Sequence, residues 1–326
     1  MQSLEQLSTF IAGASHDPLS TWRRDDLRAL AGLAIPDVIF ERNHAVLKAD
    51  AHALWLRWFL EGMCNPLRYV DDETKTIVDV HMDTLDRVND LYPGAPQPER
   101  QQLAQHISRH VMSEVERRRR LERTYATPAQ RRDLVDAAGG KPRCWMCGFL
   151  FSQLAVDRFL RKAKGIELDL PDFVDVLRPR GLIKRDISIE VEHIVPVAGG
   201  GGGSDNLALA CGWCNASKGA RTSIYDARAR PPRSTFVLGG HQLHELPQPF
   251  WSVRLMAFRR SCEHVSGCAA SLDNAELFIA PSDPRGSLNP SNLRVFCADH
   301  DPYAAHRFHG RETVRKVWHE RVHASA

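Results

Sequence analysis

Two Cys-x-x-Cys pairs, Cys144-Trp145-Met146-Cys147 and Cys211-Gly212-Trp213-Cys214, constrain this chain more than any other feature. Each has the spacing of a zinc knuckle. Four thiolates around tetrahedral Zn2+ make a closed, structural site with no open position for chemistry. Such an ion adds to folding free energy, because no preformed site exists in the unfolded chain. The stretch between the pairs must therefore fold so that its ends meet. The plainer reading is two unrelated pairs of buried cysteines.

The residues before the second pair carry chemistry. Ile187-Ser188-Ile189-Glu190-Val191-Glu192 alternates with period two, which predicts a strand with Ile187, Ile189 and Val191 on one face and Glu190 and Glu192 on the other. His193-Ile194-Val195-Pro196 follows, then the glycine run 199–203, Asp205-Asn206-Leu207 and the knuckle, which continues into Asn215-Ala216-Ser217-Lys218. Phosphodiester hydrolysis needs an attacking hydroxide near neutral pH, and histidine is the side chain best tuned to generate it. It also needs charge neutralised on the phosphate and the leaving oxygen, which a hard, oxygen-ligated cation supplies. A carboxylate, an imidazole and an amide brought around one cation would serve. Adjacent strand residues point to opposite faces, so the chain must twist at Glu192-His193 for both to reach one centre.

This segment resembles the HNH (ββα-metal) endonuclease family over about residues 127–225. It shares the acidic-His-Ile-x-Pro strand end, the Gly-rich loop with Asn-Leu, and a final Cys-x-x-Cys-Asn-x-x-Lys. Asn215 stands where histidine is the other common choice, and Glu192 where aspartate is more usual. The resemblance implies that Glu192 and Asn215 hold Mg2+ or Mn2+; apart from it, Glu190 lies on the same expected strand face as Glu192, placed to reach that ion through water. The resemblance also implies that His193 is the general base, that Asn206 braces the loop orienting it, and that Lys218 contacts phosphate. It further implies a DNA substrate, cut to 3′-hydroxyl and 5′-phosphate ends, with restriction or anti-phage defence as a family-level analogy. Taken singly, the same residues read as a core histidine, a surface carboxylate, a turn former and a helix cap. The competing functions are a non-catalytic, zinc-stabilised nucleic-acid-binding module and an RNA-directed nuclease. If a helix begins at Asn215, its free N–H groups face the phosphate.

Downstream, Ser291-Asn292-Leu293-Arg294-Val295-Phe296-Cys297 echoes Asp205-Asn206-Leu207 through Cys211, with the same interval from Asn to Cys. Cys262, Cys268, Cys297 and His300 would form a second zinc set, with His264 a competing ligand. The expectation is a copy of the module that kept its zinc and lost its base, since Glu276 to Pro281 has no histidine after the glutamate. Packing, substrate grip or dimerisation would be its role.

The fold class expected is α+β, with a helical region 1–126, a nuclease module 127–233 carrying a helical insertion at 150–186, and a zinc-binding region 234–326. The helical region carries a stripe Ala51, Leu54, Trp55, Trp58 and Phe59, with the two tryptophans read as core. Next come a helix burying Ile77, Val78, Leu85, Val88 and Leu91, and one burying Leu103, Ile107, Val111 and Val115. Cys64 is expected to be a small core residue. The four arginines 117–120 read either as a helix end paired with Glu114 and Glu116 or as a phosphate-contacting edge. Thr127-Pro128 predicts a capped helix start. Further helices are predicted over 153–162, 171–177 and 303–323. Arg221, Arg311, Arg315 and Lys316 are candidate nucleic-acid contacts, with Arg321 beside them.

Residues 1–125 carry a net charge of −3 and the remainder +6, so the basic portion coincides with the candidate site. No apolar run is long enough to span a membrane, and the first residues lack a secretory pattern, so a cytoplasmic location is expected. In a reducing compartment, eight cysteines favour metal over disulfides. The helical region is expected to bind a protein partner or to self-associate.

Overall fold

The structure is a computed structural model and describes residues 4–14, 24–36, 43–119, 126–163, 165–195, 206–227 and 236–323. Pro196, the glycine run 199–203, Asp205 and Arg120 lie outside these residues. The chain divides into two compact units, residues 1–50 and 51–326. The first holds α1 (Leu4–Gly13) and α2 (Arg24–Ala31), and α3 (His44–Met63) runs from it into the second. Among the described residues no helix is long and apolar enough to cross a membrane.

In the second unit, the short helix α4 (Leu67–Val70) precedes an antiparallel pair, α5 (Ile77–Leu91) and α6 (Gln97–Arg119). A capping box starts α5: the Thr76 hydroxyl accepts from Val78 N at 3.3 Å, and Asp79 accepts from Thr76 N at 2.9 Å. The core of this layer is Met63, Cys64, Tyr69, Val80, Val88, Ala104, Ile107, Val111, Met112 and Val115. Cys64 is buried as expected, with its sulfur 3.3 Å from the Tyr69 hydroxyl.

Two expectations fail here. Trp55 and Trp58 are 63% and 65% exposed, and Phe59 is exposed as well. On α5 the inward residues are Val80, Thr84 and Val88, while Ile77, Val78 and Leu91 face outward. Both helices carry apolar residues on more than one face, so periodicity alone could not choose the buried one. The arginines at the end of α6 are absorbed locally. Arg117 and Arg118 pair with Glu114, and Arg119 donates to the carbonyls of Tyr69, Val70, Asp72 and Lys75.

Thr127 caps α7 (Pro128–Ala137), whose boundaries match the sequence signals, and α8 (Gln153–Phe159) follows the first knuckle. The helix expected over 171–177 is instead strand β1 (Phe173–Asp175), paired antiparallel with β8 (Phe308–Gly310). Non-local pairing overrode the local pattern there. The hairpin β2 (Ile189–His193) and β3 (Leu207–Cys211) leads into α9 (Gly212–Lys218). Then come hairpin β4 (Phe236–Leu238) and β5 (His241–Leu243), helix α10 (Pro249–Arg259), and hairpin β6 (Leu277–Pro281) and β7 (Leu293–Cys297). The helix expected over 303–323 is divided into α11 (Ala304–Arg307), β8 and α12 (Arg311–His323). Among the described residues each sheet has two strands, so the helices and the packing around the two cysteine clusters carry much of the cohesion.

Candidate active centre and its echo

The sulfurs of Cys144, Cys147, Cys211 and Cys214 converge, with all four within 4.8 Å of one another and fully buried. None is in a disulfide. Four buried thiols clustered without a covalent bond suit a tetrahedral thiolate-loving ion such as Zn2+. The surroundings supply compensating charge. Arg180 donates to the Cys147 sulfur at 3.8 Å and is itself held by Glu276 at 2.6 Å. Burial acts to lower the pKa of Arg180, but Glu276 and the thiols more than reverse it, so the cation persists. Close backbone approach dictates Gly212 between two ligands: a Cβ there would lie 2.0 Å from the Arg185 carbonyl oxygen.

The clamp sets the register of the hairpin above it. Ile189 pairs with Cys211 and His193 with Leu207. Glu190 and Glu192 share the strand face that meets α9. Asn215 Nδ2 donates to Glu190 Oε2 at 2.6 Å, and Arg185 grips the same carboxylate at 2.7 and 3.2 Å. Lys218 is buried, paired with Glu192, and donates to the His193 carbonyl at 2.6 Å. Glu192 is 7% exposed. Burial pushes its carboxyl above the usual range, opposed by Lys218, while the charge of Glu190 pushes it further up.

Beyond His193, Asn206 makes a closed pair of bonds to one residue. Its Oδ1 accepts from Val195 N and its Nδ2 donates to Val195 O, both at 2.8 Å, while Ile194 N donates to the Asn206 carbonyl at 2.8 Å. The turn leaving His193 is therefore fixed on both its donor and acceptor sides. His193 itself is half-buried at the strand end. It is the last residue of β2, where the chain turns toward Asn206.

Thus Glu190, Glu192, Asn215 and Lys218 come together beneath the hairpin, with Asn206 and His193 at its open end. Lys218 turns inward onto Glu192 instead of toward solvent. The helix starts at Gly212, not at Asn215, so Asn215 sits within it and no free N-terminus begins there. Arg185 and Arg180 belong to these networks, and no sequence pattern marked either. Among the outlying cations, Arg221 and Lys316 are exposed, Arg311 donates to Pro171 O at 3.3 Å, and Arg315 donates to Leu182 O at 3.0 Å.

The second set also converges: the ligand atoms of Cys262, Cys268, Cys297 and His300 lie within 4.8 Å. His264 stands beside it, its ring stacked on His300 at 4.1 Å and its Nδ1 2.7 Å from the Ser266 hydroxyl. The resemblance to the first module extends atom by atom. Leu277 pairs with Cys297 and Pro281 with Leu293, the same five-residue register. Ser282 N donates to Asn292 O at 2.7 Å, Asp283 N to Asn292 Oδ1 at 3.0 Å, and Asn292 Nδ2 to Asp283 O at 2.8 Å. Trp145 N donates to Leu209 O at 2.9 Å in one copy, and Glu263 N to Val295 O at 2.8 Å in the other. Even the bridges flanking the knuckles correspond, Arg143 with Leu150 and Ser261 with Ser271.

The chemistry does not correspond. By register, Phe278, Ala280 and Pro281 stand where the first hairpin has Glu190, Glu192 and His193, so Glu276 takes the place of Ser188 and not, as the sequence echo suggested, that of Glu192. Asp301, the residue after the last ligand as Asn215 is, pairs with the wholly buried Arg307. Arg307 also reaches Asp175 at 2.7 Å and lies 5.0 Å from the Phe278 ring. The two copies are joined, since Leu277 N donates to the Cys147 carbonyl at 2.9 Å.

Residues 182–221 match the HNH family model, described as HNH endonuclease. No curated protein and no solved structure matches the chain.

Proposed function

With an HNH endonuclease-type segment at 182–221 as the premise, we propose that this chain is a metal-dependent endonuclease acting on DNA. The observation that carries the reading is the hairpin clamped by four converging cysteines, which sets two carboxylates and an amide on one face, with Asn215 2.6 Å from Glu190. Two carboxylates and a carboxamide oxygen are hard donors of the kind Mg2+ or Mn2+ takes. The buried Glu192 carboxyl, raised by burial and by its neighbour Glu190, would be relieved by an added cation. Glu192 and Asn215 would hold that ion, with Glu190 beside them. When bound, it would neutralise charge on the scissile phosphate and the leaving oxygen.

The chain's own residues do the rest. His193 takes a proton from the attacking water, whose oxygen bonds to phosphorus as the bond to the 3′-oxygen breaks; the departing 3′-oxygen takes a proton from solvent, leaving a 3′-hydroxyl and a 5′-phosphate. Asn206 holds the turn from which His193 projects. Lys218 fixes the Glu192 carboxylate and the His193 backbone together, and a phosphate contact by Lys218 requires it to leave both. The second module serves as a non-cleaving copy that packs against the first and carries its own zinc. Residues 51–119 offer an exposed Trp55, Trp58 and Phe59 to a partner. A role in restriction or anti-phage defence rests on family analogy alone.

The second reading is a module that binds nucleic acid without cutting it. It draws on the fact that Arg185 and Lys218 already balance both carboxylates. Supercoiled plasmid and a structured RNA, offered side by side with Mg2+ or Mn2+, decide between them. Nicked plasmid and intact RNA are expected. Binding without cleavage of either polymer would establish the second reading, and cleavage of RNA alone would replace the substrate.

A further inference from the structure

A small cavity of about 120 Å3 lies between the first turn of α7 and the end of α8, lined in part by Pro128, Arg131, Arg132, Arg161 and Lys162. Four of the lining side chains are cationic and none is acidic. Arg132, Arg161 and Lys162 are exposed. Arg131 is half-buried, its Nε donating to Ala126 O at 3.4 Å and its guanidinium 5.4 Å from the Phe159 ring centroid. Among the described residues, none of the four pairs with a carboxylate. Arginines around the first cysteine cluster and the second module are taken up instead: Arg178 and Arg180 by Glu276, Arg185 by Glu190, and Arg307 by Asp175 and Asp301.

The backbone holds two of these cations in place. At the end of α8, Arg161 N donates to Arg158 O at 3.0 Å and Lys162 N to Asp157 O at 2.7 Å, the paired closure of a Schellman motif. That closure puts Arg161 at φ 59°, a left-handed position that glycine usually fills. A side chain there costs conformational energy. Among the described residues one other non-glycine has positive φ, Arg260 at 60°, and it pairs with Asp273 at 3.3 Å. Arg161 bears the same strain without such a partner.

The volume falls well below the range of pockets that enclose a small organic ligand, about 300–1,000 Å3, so the cleft takes hold of part of something larger. Four uncompensated cations ask for several anionic groups on one molecule, and the guanidinium fork matches phosphate oxygens. The location narrows the choice. α7 packs on β3 and α8 on β2, so the cluster is carried by elements seated on the hairpin of Glu190, Glu192 and His193. A polymer with a phosphate at every step suits both the charge and the place. We propose that this cluster grips the phosphate backbone of duplex DNA a few nucleotides from the scissile bond. Packed elements stand about 10 Å apart and a strand advances about 3.4 Å per nucleotide, which sets the offset near about three nucleotides. Contacts to phosphate read no base, so the grip adds affinity and register without sequence preference. The proposal rests on the nuclease reading of the neighbouring centre.

The test measures binding, not cutting. Fluorescence anisotropy follows a labelled duplex of about 20 base pairs with the full-length, zinc-loaded protein, without added Mg2+ or Mn2+, over about 50–200 mM salt. Arg161→Gly removes one cation and relieves its left-handed position; Arg260→Gly does the same away from the cluster and serves as the matched control. Arg161→Gly is expected to bind about fivefold more weakly, with the slope of log affinity against log salt shallower by about 1. Combining it with Arg132→Ala and Lys162→Ala is expected to make the slope shallower by about 3. Arg260→Gly is expected to stay within about twofold of the wild type. Arg161→Gly should unfold at the same or a higher temperature, which separates a lost contact from a lost fold. Wild-type affinity in Arg161→Gly, an equal loss in both glycine variants, or no binding of duplex by the wild type would overturn the proposal. Inorganic phosphate titrated at the same ionic strength tests for a free anion; saturable phosphate binding with unchanged duplex affinity in the triple variant would also overturn it. The expected binding pattern with no cleavage once Mg2+ is added would leave the grip standing and remove the nuclease reading.

Discussion

Asn206→Ala is the most informative single change, because the molecule contains its own control. The substitution removes two bonds of 2.8 Å to the Val195 backbone. Neutral hydrogen bonds contribute about 0.5–1.5 kcal/mol each, so the turn after His193 loses about 1–3 kcal/mol. Water reaches this partly exposed turn, which favours the lower end. If that energy holds His193 in place for the reaction, the loss translates into about 5- to 150-fold in cleavage rate. Asn292→Ala breaks the equivalent pair of bonds to Asp283, at 3.0 and 2.8 Å. Because Asn292 also donates to the Ser287 carbonyl at 3.1 Å, it is expected to cost at least as much stability, and to leave cleavage unchanged, since the second hairpin carries Phe278, Ala280 and Pro281 at the reacting positions. Urea unfolding gives the stability of both variants, and plasmid nicking at matched folded fraction gives the rates. Wild-type cleavage by Asn206→Ala, or an equal loss in Asn292→Ala, would refute the reasoning.

Metal analysis of the purified chain is expected to give near two zinc ions per molecule, falling to near one in Cys297→Ala; a wild-type value near one would remove the second site. Burial holds the Glu192 carboxyl above the ordinary range, so its linked stability is greatest below the unfolded-chain value and declines as pH rises through the folded one. The carboxylate needed for an ion is lost as pH falls through that same raised value. The acid limb of cleavage should therefore lie above the usual carboxylate range and move further up in Lys218→Met, as a pH–rate profile would reveal; an unmoved limb counts against this pairing. Ile107→Ala in the α5–α6 core is expected to cost about 2–5 kcal/mol in chemical denaturation, a value near zero being the contrary result. The exposed Trp58→Ala should fall within about 0.5 kcal/mol.

Legibility in the sequence followed locality. The capped start of α7 at Thr127-Pro128, the alternating strand before His193 and the knuckle spacing are all short-range signals, and each is present, although the strand begins at Ile189 because Ile187, expected within it, ends a 3-10 turn from Lys184. The second module was legible through Asn292 and Cys297, although its knuckle has irregular spacing, because β7 repeats the interval of β3. Features set by distant partners were not legible. The segment at 171–177 pairs with β8 more than a hundred residues away, a partner no local pattern reveals. The helices α3 and α5 have apolar residues on more than one side, so which face is buried depends on neighbours. Lys218 was read as a phosphate contact, yet its inward turn follows from the burial of Glu192, which needs a nearby cation. Arg307 in the second module is likewise invisible in sequence, since its role comes from Asp175, Asp301 and Phe278 meeting around it.

The central claim is that one histidine at the end of the zinc-clamped hairpin does the proton transfer. It is tested most directly by the nicking rate of His193→Ala against wild type, at equal zinc content and saturating Mg2+. General-base catalysis of this kind is worth about 100- to 10,000-fold, and a fall of that order is expected. A variant that nicks plasmid as fast as the wild type would contradict the claim.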